Sequence, residues 1–170
     1  MGHRARVAYE RPDGRYDCHR SQWGADRLRL IEEVTPATPY GQPVDDPPVD
    51  PVPTRTVASP SALAADLEYL CVEAVYVVSR SFAVRAYLSL WCGFAAVDDP
   101  DPTAGLLVGV DGVRDAAHVQ RWFRPRKTTL ARRVERGEID ERAATQRLEE
   151  RIRRFAVDRH LLGGSAGESL

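Results

Sequence analysis

Near the amino terminus the apolar and polar positions alternate with the period of a half-exposed strand. Ala5, Val7 and Tyr9 fall on one side and Arg4, Arg6, Ala8 and Glu10 mostly on the other. Pro12-Asp13-Gly14 supplies turn chemistry, and Tyr16–Ser21 returns as a second strand. Two registers compete for this hairpin. A three-residue loop sets Ala8 across from Cys18 and Tyr9 across from Asp17, mixing apolar and charged positions. A two- or four-residue loop sets Tyr9 across from Cys18 and Val7 across from Arg20. It keeps Ala5, Val7, Tyr9, Tyr16 and Cys18 on one face and gathers Arg6, Glu10, Asp17 and His19 on the other. A sheet with one buried face favours the second register. Trp23-Gly24 closes the hairpin, and 25–34 predicts a short helix presenting Leu28, Ile31 and Val34.

Eight of the twelve prolines then fall within 35–60, which excludes a helix or a central strand. With Asp45, Asp46 and Asp50 this stretch reads as an extended acidic connector lying on the surface. Ser59-Pro60 is a helix start, the hydroxyl capping and the proline at the first helical position, with Leu63, Leu67 and Leu70 on one face. Residues 72–78 and 82–91 are rich in β-branched and aromatic side chains, and Phe82, Val84, Ala86, Leu88 and Leu90 alternate with Ala83, Arg85, Tyr87, Ser89 and Trp91. That predicts a second hairpin. Leu67, Leu70, Ala74 and Val78 also fit a helix continuing through 78, so both readings stand at this point. Residues 98–102 form a loop, and 106–110 a short buried strand closed by Asp111-Gly112.

The last third reads as helical. A helix over 113–123 stops near Pro125, a second runs over 128–136 to Gly137, and Asp140 caps a third. In the third, Ala144, Leu148, Ile152, Phe155 and Ala156 make one apolar stripe. These elements make an α+β domain over 1–162, in which short antiparallel β-hairpins form a sheet packed by the C-terminal helices. Its parts are 1–34 (hairpin and short helix), 35–60 (connector), 61–112 (helix and strands) and 113–162 (helices), and 163–170 is expected to be a disordered tail.

Charge adds what the hydrophobic pattern leaves out. The net charge of -1 conceals +3 over 1–30, -9 over 31–115 and +6 over 116–160. Arginine outnumbers lysine 23 to 1 and asparagine is absent, a bias that a GC-rich genome explains. Cys18, Cys71 and Cys92 are odd in number and lack CxxC spacing, so they are expected to be buried, free thiols in a reducing compartment. The start lacks the apolar run of a signal peptide, and the longest nearly apolar run, 88–97, is about half a membrane span. A cytoplasmic location and no membrane contact are expected.

The opening GHRARVAYERPDG, Tyr16-Asp17, Trp23-Gly24-Ala25 and the segments at 76–78 and 86–91 resemble a family of small uncharacterised haloarchaeal proteins, a domain of unknown function. That resemblance implies a salt-rich cytoplasm and brings no activity, cofactor or catalytic residue. Separately, Arg136-Gly137-Glu138-Ile139-Asp140-Glu141 followed by Leu148 resembles the helix-turn-helix unit of short C-terminal oligomerisation domains, which implies a homo-oligomer.

Candidate chemistry is sparse. His3, Cys18, His19, His118 and His160 are the conceivable metal ligands or bases, but Cys18 and His19 point to opposite sides of a strand. The histidines read as surface groups, with no metal and no cofactor. His19 with Asp17, Glu10 and Arg6 is the one polar cluster with acid–base capacity, and a cross-strand ion-pair lattice uses the same residues without chemistry. No phosphate loop, GxSxG elbow, HExxH or paired-carboxylate motif is present, so no catalytic residue is assigned and a small enzyme using the His19 face is a minor alternative. The strongest signal is Arg121, Arg124, Arg126, Lys127, Arg132, Arg133 and Arg136 around Trp122 and Phe123. Guanidinium groups beside aromatics suit phosphate contact and base stacking on RNA, and the same residues equally fit the solvated faces of two amphipathic helices with Trp122 and Phe123 packed in the core. The expectation is a non-enzymatic binding protein for RNA or a ribonucleoprotein, acting through Arg121, Trp122, Arg124, Arg126, Lys127, Arg132 and Arg133. Its alternative is a module that self-associates through the C-terminal helical hairpin.

Overall fold

The computed structural model describes residues 2–95 and 98–164. The alternating segments become β1 (Ala5–Glu10), β2 (Tyr16–Ser21), β4 (Ala74–Val78) and β5 (Val84–Trp91), and the short buried run becomes β6 (Gly105–Val110). Two three-residue strands, β3 (Arg55–Val57) and β7 (Leu161–Gly163), lie at the edges. Among the described residues all seven belong to one sheet in the order β3-β2-β1-β4-β5-β6-β7. Every neighbouring pair is antiparallel except β1 and β4, which run parallel, so the two predicted hairpins are joined by one parallel seam. The fold is α+β, and the hairpin reading of 72–91 holds over the continuing helix.

The hairpin register is the one that a single buried face argues against. Ala8 lies opposite Cys18, Tyr9 opposite Asp17 and Val7 opposite His19. The reason is that each face of the sheet carries a core. Ala5, Val7, Tyr76, Ala86, Leu88 and Val108 face a core built with α3 (Val113–Glu135) and α4 (Glu141–Phe155). Ala8, Cys18, Val75, Tyr87 and Leu107 face a second core under α2 (Pro60–Ala65). Where both faces are packed, alternation divides two apolar sets and no longer separates core from surface.

The connector is more ordered than its composition predicts. Val49 is fully buried and bridges to Ser21, whose hydroxyl donates to the Pro48 carbonyl. The Thr54 amide and hydroxyl both donate to the Cys18 carbonyl, and β3 follows at once on the free edge of β2. Residues 25–34 split into a 3₁₀ turn (Asp26–Leu28) and α1 (Leu30–Glu33), because Arg27 and Leu28 take left-handed backbone angles (φ 50°). Leu28, Leu30 and Val34 are buried and Ile31 partly so. Ser59 caps α2 as expected, its Oγ accepting from the Ala62 amide at 3.2 Å. The helix ends at Ala65, and Leu70 turns out to solvent. At the carboxyl end Gly163 lies inside β7 and is not part of a tail, while 165–170 lie outside the described residues.

The helices at 113–123 and 128–136 are one. α3 runs 23 residues straight through Pro125. A proline inside a helix removes one N–H and pushes away the preceding carbonyls. Here the Arg126 guanidinium donates to the Trp122 carbonyl at 2.7 Å, and Thr128 and Thr129 hydroxyls donate to the carbonyls of Arg124 and Pro125. The Arg126 contact gives a donor to a carbonyl on the turn that the proline disturbs, while the threonines add second donors to the carbonyls that follow. Asp140 caps α4, accepting from the Ala143 amide at 2.7 Å, and the stripe of Ala144, Leu148, Ile152 and Ala156 is buried on the sheet with Phe155 at its margin. Arg159 binds both carboxylate oxygens of Asp115 (2.6 and 2.7 Å) and the Gly109 carbonyl (3.1 Å), tying the end of the α4 segment to the start of α3 and to β6.

Two substitutions test this packing. Ile152→Ala should cost about 2–5 kcal/mol in urea unfolding, and Ile152→Asp should leave no folded monomer, because its stripe packs within its own chain. Pro125→Ala should raise stability by up to about 3 kcal/mol, and a fall in melting temperature would show that the proline is needed where it stands.

Candidate nucleic-acid interface

Reading α3 as one helix changes what its arginines do. Arg114, Arg121, Arg124 and Arg132 are exposed, and at 100° per residue they fall within one side of the helix. From Arg114 to Arg132 this side runs about 27 Å. None of the four has an ion-pair partner among the described residues. Arg114 is absent from the sequence-derived set. Its 7- and 18-residue spacings to Arg121 and Arg132 carry the signal, but only when Pro125 is not taken as a stop.

The remaining candidates serve the fold. Trp122 stacks on Phe155 with centroids 4.0 Å apart and planes 12° from parallel, and the Arg126 guanidinium lies 4.5 Å from the same ring. A ring stacked that closely on one face leaves only the other for Arg126, so neither face of Trp122 is open to a base. Arg133 and Arg136 both pair with Glu138 at 3.3 Å. Phe123 is buried in the larger core.

Lys127, the chain's one lysine, is an internal cation. Its Nζ donates to the Trp91 carbonyl at 2.6 Å and sits 3.9 Å from the Trp91 ring centroid, with Phe94 and Phe123 each at 5.9 Å. Burial pushes its ammonium down to about 8. The ring quadrupoles and the carbonyl favour the charged form against that desolvation.

Beside the basic side of α3 a cleft of about 460 Å³ opens between the helix and the end of β5. Val113, Gln120 and Arg124 form one wall, Leu70 another, and Ser89 and Trp91 the strand side. Leu70 and Val113 are 49% and 50% exposed, large for apolar residues, and Ser89 Oγ is buried with no hydrogen-bond partner among the described residues. A larger cleft of about 700 Å³ between α2, the 98–105 loop and α4 mixes Asp101, Glu141, Arg142 and Arg153, so no single charge converges there.

The His19 cluster does not assemble. His19 is 4% exposed, in ring contact with Tyr9 and Tyr40, and its Nδ1 lies 2.8 Å from the Asp50 carbonyl. The observed register turns Arg6 and Glu10 to the opposite face, and Asp17 accepts instead from the Thr56 hydroxyl and pairs with Arg11, which together hold its carboxyl below the usual range. Of the other histidines, His3 pairs with Glu73 at 3.0 Å, His118 lies against Phe155, and His160 is 3.5 Å from Arg85. Among the described residues no three His, Cys, Asp or Glu side chains group as a metal site. The three cysteines are free, but Cys71 is exposed, against expectation. Burial raises the thiols of Cys18 and Cys92, the latter to about 12, so neither is a poised nucleophile.

Lys127 gives a pH signature. Its folded value, about 8, lies below the ordinary 10.5, so the unfolded chain holds more protons between the two and stability rises with pH across that window. The stability difference between the wild type and Lys127→Met should move in favour of the wild type from pH 8 to 10.5. A difference that stays flat in pH-dependent urea unfolding would show an ordinary surface ammonium.

Among the described residues no helix is long and apolar enough to cross a membrane. No curated protein and no solved structure matched the chain. A family model matched nearly all of it, over residues 1–47 and 44–162, and the expectation of a domain of unknown function stands: the chain belongs to the family of unknown function DUF6735.

Proposed function

We propose that the chain is a non-enzymatic binding protein for single-stranded RNA, free or within a ribonucleoprotein, that holds phosphates along Arg114, Arg121, Arg124 and Arg132 and receives a base in the adjoining cleft. The observation that carries this reading is the side of α3 on which four exposed guanidinium groups lack acidic partners while their neighbours are neutralised or enclosed. Arg124 belongs to both the basic side and the cleft. The cleft adds apolar walls for a base face, and Gln120 and Ser89 supply hydrogen-bonding groups for its edge.

Self-association has less support. Of the hairpin stripe that would drive it, Leu130, Leu148 and Ile152 are buried in the core of their own chain, and Val134 and Phe155 are partly buried beside them. We take the setting to be the salt-rich cytoplasm of a haloarchaeon. At about 1 M ionic strength the Debye length is near 3 Å, so direct guanidinium–phosphate contacts matter and long-range steering does not.

Fluorescence anisotropy with a labelled single-stranded RNA tests the proposal. Four contacts should give a salt slope near -3, at about -0.7 per phosphate. Replacing Arg114, Arg121, Arg124 and Arg132 together by Gln keeps helix propensity and should flatten that slope. A folded quadruple variant with unchanged affinity and slope overturns the α3 surface. Val113→Asp, at the mouth of the cleft, should weaken binding while leaving melting unchanged.

A further inference from the structure

Across the sheet from α3, the β1–β2–β3 end gathers arginines on the face that α2 covers in part. The register sets Arg6 directly opposite Arg20, and sets Arg55 opposite Cys18, the residue two before Arg20 on the same face. Residues directly opposed in an antiparallel pair hold their Cβ atoms about 4.5–5.5 Å apart. Alternation along the chain into β1 adds Arg4 to this side. Arg4, Arg20 and Arg55 are exposed and Arg6 is half-buried, with one of its N–H groups on the Ala5 carbonyl at 3.2 Å.

The acids next to this group are engaged elsewhere or exposed: Glu73, beside Arg4, pairs with His3, and Asp50, beside Arg20, accepts from the Val52 amide. Asp66 lies 3.3 Å from Arg55 through a carboxylate that is 69% exposed, and Glu68 is the other acid near Arg6. Burial, and next Arg20, hold the Arg6 guanidinium below its ordinary value, with Arg4 and Arg55 acting in the same direction and Glu68 against them. Like charges set directly across two strands destabilise a sheet. An arrangement that repels itself in the free protein is relieved by an anion, and planar guanidinium forks match phosphate oxygens in pairs.

We propose that Arg4, Arg6, Arg20 and Arg55 form a binding site for a short polyphosphate chain, whether inorganic or carried by a nucleotide. The site shares no residue with the α3 surface and stands or falls apart from it. Several guanidinium groups from adjacent strands can grip successive phosphoryl groups of one small ligand, each through charge-assisted hydrogen bonds.

The test compares melting temperature and calorimetric binding in sodium tripolyphosphate, in ATP and in sodium chloride, all at matched ionic strength. The exposed residues are the ones changed, as Arg20→Gln and Arg55→Gln, so that folding is preserved. Tripolyphosphate should stabilise the wild type beyond chloride, and each substitution should weaken its binding about tenfold, equivalent to about 1.4 kcal/mol. In chloride, Arg20→Gln should melt no lower than the wild type because it removes repulsion; in tripolyphosphate it should melt lower. The quadruple α3 variant should respond as the wild type does. ATP and tripolyphosphate acting alike support recognition of the phosphate chain itself. The proposal is overturned by equal wild-type melting in tripolyphosphate and chloride, by an undiminished response in Arg20→Gln, by loss of the response in the α3 variant, or by binding of ATP alone.

Discussion

A sheet that carries a core on each face leaves few inward positions for polar residues, so its central strands divide their positions between two apolar sets. In β5, Ala86, Leu88 and Leu90 join the core beneath α3 and α4 while Tyr87 joins the one beneath α2. The N-terminal hairpin obeys the same rule, which is why Ala8 faces Cys18 and why His19 is enclosed. It also fixes what is left at the ends. The central strands are flanked by β3 and β7, each only three residues long, which leaves little unpaired backbone for another chain to join.

Cations are placed by shape as much as by charge. A compact ammonium fits among Trp91, Phe94 and Phe123, and the larger planar guanidinium would not sit there with the same carbonyl contact. Where two oxygens must be held at once, as at Asp115, the chain uses arginine. Arg126 does a third task, supplying a donor to the Trp122 carbonyl on the turn interrupted by proline. Other cations line the outer side of α3, the β1–β3 face and α4, where Arg142, Arg147, Arg151 and Arg154 are exposed.

Much of this architecture is legible in the residues. The strands at 5–10, 16–21, 74–78 and 84–91, the Ser59 and Asp140 caps and the buried stripe of α4 follow from alternation, capping chemistry and helical period. What is not legible depends on partners distant in sequence. The hairpin register needs knowledge of a second core, and β3 and β7 are too short to show a period and exist because an edge is available. Pro125 reads as a stop because its compensation lies in the side chain of the next residue. In the candidate interface the arginines of α3 were visible, but the enclosure of Trp122 by Phe155 joins residues more than thirty positions apart.

The parallel seam between β1 and β4 has a consequence for how the chain is made. Ala5 pairs with Ala74, about 70 residues later, whereas the hairpins on either side close within a few residues. Closing a loop of that length costs about 2 kcal/mol more entropy than closing one of ten residues. During synthesis at about 5–20 residues per second, the first hairpin, complete at Ser21, waits roughly 3–11 s before β4 is made through Val78. Through that interval both of its apolar faces and its inner edge are open, so the interval of greatest exposure to misassociation belongs to the amino-terminal hairpin on the ribosome.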